Sequence, residues 1–146
     1  MEQLDAVGLL KAVQALGRNM NVALMYSGLR VPQYRLLDAL SVAGQATVTE
    51  MSATLKITRA SASVMINDLI RSGSVVVVEN HSDRRSFHIQ LSEHGLHRLQ
   101  AARSDLGIMI SKLSGRYPAE TIRVLNEFAR MISSRAEIFE TTPHSD

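Results

Sequence analysis

The reading of this chain turns on residues Thr47–Gly95, TVTEMSATLKITRASASVMINDLIRSGSVVVVENHSDRRSFHIQLSEHG. Thr47-Val48 reads as a very short strand, and Thr49 as the N-cap of a brief helix over Glu50–Lys56 with Met51 and Leu55 turned inward. Lys56-Ile57 makes a turn, and Thr58 caps a second helix, Arg59 to about Arg71. In that helix Ala62, Met65, Ile66 and Leu69 recur at steps of three and four, which predicts a buried stripe. Gly73 is placed to stop it. Two short helices joined by a tight turn form a helix-turn-helix. Four consecutive valines open Val75–Asn80, where β-branching predicts a strand. His81–Arg85 turns the chain, and Ser86–Leu91 returns with Phe87, Ile89 and Leu91 on one side. The expected unit is a helix-turn-helix followed by a hairpin wing.

Helix surrounds this unit on both sides. Leu4, Val7, Leu10, Val13, Leu16, Met20, Leu24 and Met25 mark an amphipathic helix from Leu4 to about Ser27. Pro32 suits the first turn of the next helix, with Tyr34, Leu36, Leu37 and Leu40 inward and Gly44 at its end. Downstream, Ser92 is placed to cap a long helix carrying Leu96, Leu99, Leu106, Met109 or Ile110, and Leu113. After a break at Ser114–Tyr117, Pro118 opens a last helix with Ile122, Leu125, Phe128, Ala129, Ile132 and Phe139. Three such apolar stripes exceed what one small lobe can cover, so pairing of two chains is expected. The expected fold class is mainly α with a small β-hairpin wing (α+β). Residues 1–146 are expected to form a single domain, with a winged helix-turn-helix lobe over 32–95 and helical pairing segments over 1–28 and 96–140.

Composition excludes several function classes. With 146 residues, 45% apolar, the chain can build a core, and with three Phe, three Tyr and no Trp that core must be aliphatic and Met-filled. Cysteine is absent, which removes disulfides, thiol catalysis and cysteine-ligated metals. No stretch approaches the ~18 apolar residues of a membrane span, so a soluble, cytoplasmic protein is expected. No nucleophile–base–orienter set and no Gly-rich phosphate loop is visible, so no enzyme and no cofactor are expected. His94 and His97 are three apart, but zinc takes three or four ligands and this pair is more simply an exposed one.

Charge points elsewhere. Residues 56–103 carry seven basic and four acidic side chains, a local +3, while the flanking segments sum to zero and −1. Thirteen of the sixteen basic residues are Arg, which suits bidentate contacts to phosphate or guanine. The second helix of a helix-turn-helix enters the major groove of duplex DNA. Here it would offer Arg59, Ser61 and Ser63 in its first turns and Asn67 one turn on. The Asp83-Arg84-Arg85 turn would carry Arg84 and Arg85 to flanking phosphates or the minor groove.

From Pro32 to Gly95 the chain resembles the multiple-antibiotic-resistance regulator (MarR) family of winged-helix repressors. The matching pieces are Gln33-Tyr34-Arg35-Leu36-Leu37, Ile57-Thr58-Arg59-Ala60-Ser61 leading to Gly73, and Asp83-Arg84-Arg85 followed by Leu91-Ser92-Glu93-His94-Gly95. The resemblance implies an obligate homodimer on a pseudo-palindromic operator, with Arg85 as the wing arginine and Asp83 positioning the wing. It also implies release by a small aromatic or phenolic anion. For that pocket Arg18, Met20, Tyr26 and Arg35 are candidate lining residues, against plainer roles as core filler or salt bridges. Val64 and Asp68 stand where relatives are often basic, and Ser74 where an apolar residue commonly follows the glycine. Val64, Asp68 and an exposed Ile70 would equally suit a rival reading, a winged-helix protein–protein module without sequence-specific DNA binding.

Overall fold

Helices and short strands alternate along the residues that the computed structural model describes, 2–78 and 87–134. In chain order they are α1 (Ala6–Ala23), α2 (Val31–Ala43), β1 (Gln45–Ala46), α3 (Val48–Leu55), α4 (Arg59–Arg71), β2 (Val75–Val78), β3 (His88–Leu91), α5 (Glu93–Ser114) and α6 (Ala119–Ser134). The chain divides into two compact units, Met1–Met109 and Ile110–Asp146. The expected class, mainly helical with a small antiparallel sheet, is the observed one.

The first helix is shorter than its apolar periodicity suggests. Asp5 caps it, its carboxylate accepting the Val7 N–H at 3.1 Å, and Met25–Ser27 tightens into a 3₁₀ turn that ends at left-handed Gly28. In α2 Pro32 occupies the first turn as expected, and the Gln33 side chain accepts the N–H of Arg30 at 3.0 Å. No residue of α1 is buried, and none of the described residues of α6 is.

Thr47, not Thr49, caps α3, and the short strand falls at Gln45–Ala46 rather than Thr47-Val48. The cause is a capping box: Glu50 N–H donates to Thr47 Oγ1 at 3.1 Å, and Thr47 N–H donates to Glu50 Oε2 at 2.9 Å. With Thr47 committed to the helix, strand pairing must end at Ala46. β1 then pairs with β3, Gln45 opposite Gln90 and Ala46 opposite Ile89. The wing is thereby anchored in a three-stranded sheet of order β1-β3-β2, not a free two-stranded hairpin.

The core lies under this sheet and between the short helices. Leu36, Leu37 and Leu40 of α2 meet Met51 and Leu55 of α3, Ile66 and Leu69 of α4, Val75, Ile89, and Leu99 and Ala102 of α5. Leu24 and Leu29 close it from the α1–α2 connection. It is aliphatic, as the composition requires, but not filled with methionine: Met51 is the one Met among its buried residues, and each fully buried Leu or Ile contributes about 2 kcal/mol. Ile70 is not an exposed residue: it packs half-buried against this core, adjoining Leu69 at the end of α4.

Candidate nucleic-acid interface

Local chemistry pins α4 at both ends. In the turn before it, Lys56 takes a left-handed conformation (φ 54°), and Ile57 N–H reaches the carbonyl of Ser52 at 3.1 Å. Thr58 then caps α4 as the sequence predicts, its Oγ1 accepting Ser61 N–H at 3.1 Å and donating to Ser61 Oγ at 2.9 Å. At the far end Gly73 adopts φ 75° and its N–H bonds the carbonyl of Ile70, while Ser74 N–H bonds that of Leu69. These two bonds form a Schellman motif, which requires the left-handed residue that glycine supplies.

Between these ends Ala62, Ile66 and Leu69 are buried and Met65 is half-buried. The opposite face carries Ala60, Val64, Asn67, Asp68 and Arg71, all exposed. Arg59 and Ser61 are exposed at the first turn, and Ser63 is half-buried on the flank. Arg59, Ser61 and Asn67 therefore stand on accessible surface, and Ser63 stands at its border. Ser61 has its oxygen engaged in the cap but retains a proton to donate. Arg71 pairs with Asp68 at 3.3 Å, which moderates the one acidic charge on this face. Val64, the residue at the centre of the face, is 62% exposed. Its position follows from helical period alone, but an apolar side chain carries no hydrogen-bonding signal of a DNA contact.

A second cluster holds α4 against α5 and was not legible in advance. Ser74 is fully buried, 0% exposed, and its hydroxyl accepts a bond from Arg98 Nη1 at 2.9 Å. Arg98 also donates from Nη1 to Ser72 Oγ at 3.2 Å and from Nε to the Ser27 carbonyl at 2.6 Å. Burial pushes its pKa below the ordinary arginine value, yet arginine remains charged. Beside it, Ser92 caps α5 by accepting Gly95 N–H at 2.9 Å, as expected. Gly95 lies so close to Ser74 that an added Cβ would sit 1.9 Å from its carbonyl oxygen. One arginine on α5 thus serves the exit of α4 and the turn after α1 together.

Asp83, Arg84 and Arg85 lie outside the described residues. Of the candidate ligand residues, Arg18 and Arg35 are exposed, Met20 is half-buried, and Tyr26 is 94% exposed. Among the described residues Arg18 and Arg35 make no ion pair. Asn126, Ala129, Arg130, Ser133 and Ser134 line an open groove on α6 that includes none of the four. Among the described residues no three His, Asp or Glu side chains gather as a metal site, and no helix is long and apolar enough to cross a membrane.

Residues 27–86 match the model of the MarR family. No curated protein sequence matches the chain closely enough to count as a relative. Among solved structures, wild-type MarR from E. coli in its apo form superposes with a TM-score of 0.77 at 19% identity, over 90% of this chain and 98% of that one. A MarR mutant from E. coli complexed with operator DNA gives 0.74 at 19% identity, over 86% and 92%. AbsC, a MarR family transcriptional regulator from Streptomyces coelicolor, gives 0.74 at 18% identity, over 92% and 97%. At these identities the likeness is one of fold. The sequence match across the helix-turn-helix and the fold match along nearly the whole length agree: residues 27–86 are similar to the MarR family, and the fold is the winged helix that MarR proteins share.

Proposed function

We propose that the protein is a dimeric transcriptional regulator that represses by binding duplex DNA at a pseudo-palindromic operator. The observation that carries this reading is the exposed outer face of α4, held at both ends and backed by Ala62, Ile66 and Leu69. A helix so mounted meets the major groove with its first turns, bringing Arg59, Ser61, Ser63 and Asn67 to base edges or phosphates. Arg84 and Arg85 of the wing supply flanking contacts, with Asp83 ordering the turn. The +3 balance of residues 56–103 favours the approach. The E. coli MarR mutant of the same fold was crystallised with operator DNA, which supports the same use here.

The surfaces of α1 and α6 support the dimer reading. Val7, Leu10 and Val13 on the first, and Val124, Leu125, Met131 and Ile132 on the second, are all exposed apolar side chains. A second copy would cover such faces and set two α4 helices about one DNA turn apart, ~34 Å. A small aromatic anion that favours another spacing would weaken the operator complex by its differential affinity for the two states. Arg18, Met20, Tyr26 and Arg35, on α1, the 3₁₀ turn and α2, are the residues we assign to that ligand, an arginine pairing its carboxylate.

Selection of duplexes from a random pool, repeated with a panel of hydroxybenzoates, tests these statements together. Enrichment of an inverted repeat, with loss of binding when an aromatic acid is added, is the expected result. An Arg84→Ala, Arg85→Ala double variant should lower the salt slope of binding by about two. Duplex affinity and salt slope unchanged in that variant would favour the adaptor reading, for which the exposed Val64 is the supporting observation.

A further inference from the structure

We infer that Val64 is a specificity-determining residue that reads the 5-methyl group of a thymine in the major groove. The inference rests on the DNA-binding reading of α4 and adds to it which base the centre of the helix selects.

Val64 occupies the middle of the outward face, opposite the buried line of Ala62, Ile66 and Leu69. Ala60 is exposed one turn before it, and Asn67 and Asp68 one turn after. The face is therefore apolar from Ala60 to Val64 and polar beyond it, at Asn67 and Asp68. Valine neither donates nor accepts a hydrogen bond, so it cannot read the edges that distinguish guanine, cytosine and adenine. Set against those edges it would strip water from polar atoms and replace it with nothing, which is unfavourable. The methyl group of thymine is the apolar feature the major groove offers. Contact there removes apolar surface of both partners from water. The β-branched side chain is already restricted about χ1 in a helix, so little rotamer freedom is lost.

The neighbours sharpen the assignment. Asp68, on the same face, repels phosphate, and Arg71 at 3.3 Å only moderates that charge. The middle of α4 is thus poorly suited to ride along the backbone and better suited to a groove floor. A single exposed valine is common on protein surfaces. On an unoccupied surface, though, its truncation would leave binding to every duplex unchanged.

The test uses the full chain and a duplex taken from the random-pool selection. Each thymine of a half-site is replaced in turn by deoxyuridine, which lacks only the 5-methyl group. The wild-type protein should lose about fourfold in affinity at one thymine position, the value of one buried methyl-sized group. Val64→Ala should bind the parent duplex with a similar loss and show no preference between thymine and uracil at that position. Arg85→Ala should weaken both duplexes alike and keep the preference. Equal binding of all uracil-substituted duplexes by the wild type, or the same preference in Val64→Ala, would overturn the inference while leaving DNA binding intact. Failure to enrich any duplex would instead remove the DNA-binding reading and this inference with it. Because Val64 is exposed, Val64→Ala should retain the wild-type circular dichroism spectrum and melting temperature, so that a loss of discrimination is not a loss of fold.

Discussion

Arg98 on α5 and Ser74 just beyond α4 are joined by a 2.9 Å hydrogen bond that makes a fully buried hydroxyl tolerable. Arg98 is the charged donor that satisfies Ser74 in that buried position. The same guanidinium reaches Ser72 and the carbonyl of Ser27, so its removal strips charged donors from three acceptors. Arg98→Ala should cost about 2 kcal/mol, read as a lower urea midpoint with unchanged slope at fixed protein concentration. Arg98→Lys should recover part of that loss, because one ammonium cannot span all three acceptors. The double variant with Ser74→Ala should be less destabilised than the sum of the singles, since neither group is then left alone. Strict additivity would show that the contact carries no coupling.

Two glycines on α5 should respond to alanine with opposite signs. A Cβ on Gly95 would collide with the Ser74 carbonyl, which is backbone and cannot swing aside. Gly95→Ala should therefore destabilise by about 3 kcal/mol, the upper end for overpacking. A Cβ on Gly107 meets nothing within 4 Å. Gly107→Ala should stabilise by up to ~1 kcal/mol through lower unfolded-state entropy and better helix propensity. Thermal melts of both variants at one concentration decide the matter. A neutral Gly95→Ala would mean that α5 and the residues after Gly73 are not in close contact.

These two predictions mark where sequence reading succeeds and where it stops. The stripe of Ala62, Ile66 and Leu69, the caps at Thr58 and Ser92, and the stop at Gly73 were legible because period and capping chemistry are local. The cap at Thr47 was equally local but was missed: Thr49 also precedes an apolar run, and only the partner at Glu50 separates the two. The strand at Gln45–Ala46 could not be read, since two residues carry no alternation and their pairing with β3 spans more than forty positions. Arg98 was invisible for a related reason. Its partners at Ser27, Ser72 and Ser74 are non-local, and nothing in the residues around position 98 points to them.

The ion pair between Asp38 and Arg103 should matter little. Arg103 Nη2 approaches Asp38 Oδ1 at 2.7 Å and also donates to Ser41, but both charged side chains are more than two-fifths exposed. Arg103→Ala should lower stability by no more than about 1 kcal/mol, and the difference should shrink as salt is raised. A larger, salt-independent loss would indicate that the arginine's packing, not its charge, is what α2 and α5 use.

Dimerisation should depend on α1. Leu10 and Val13 are exposed, and carboxylates in their place would have to be desolvated for a second copy to cover that surface. Leu10→Asp combined with Val13→Asp should sediment at the mass of one chain at micromolar concentration, where the wild type sediments at twice that mass. Val42→Asp changes an apolar residue that is even more exposed, but on α2, and should leave the mass at two chains. The lobe built on Leu36, Met51, Ile66 and Ile89 has its own core, so the α1 variant should keep its helical circular dichroism signal. Its operator affinity should nevertheless fall further than that of the wing double variant, because a monomer meets one half-site and forfeits the gain from linking two. A wild-type protein that sediments as one chain would remove the dimer, and with it the inverted repeat expected of the operator.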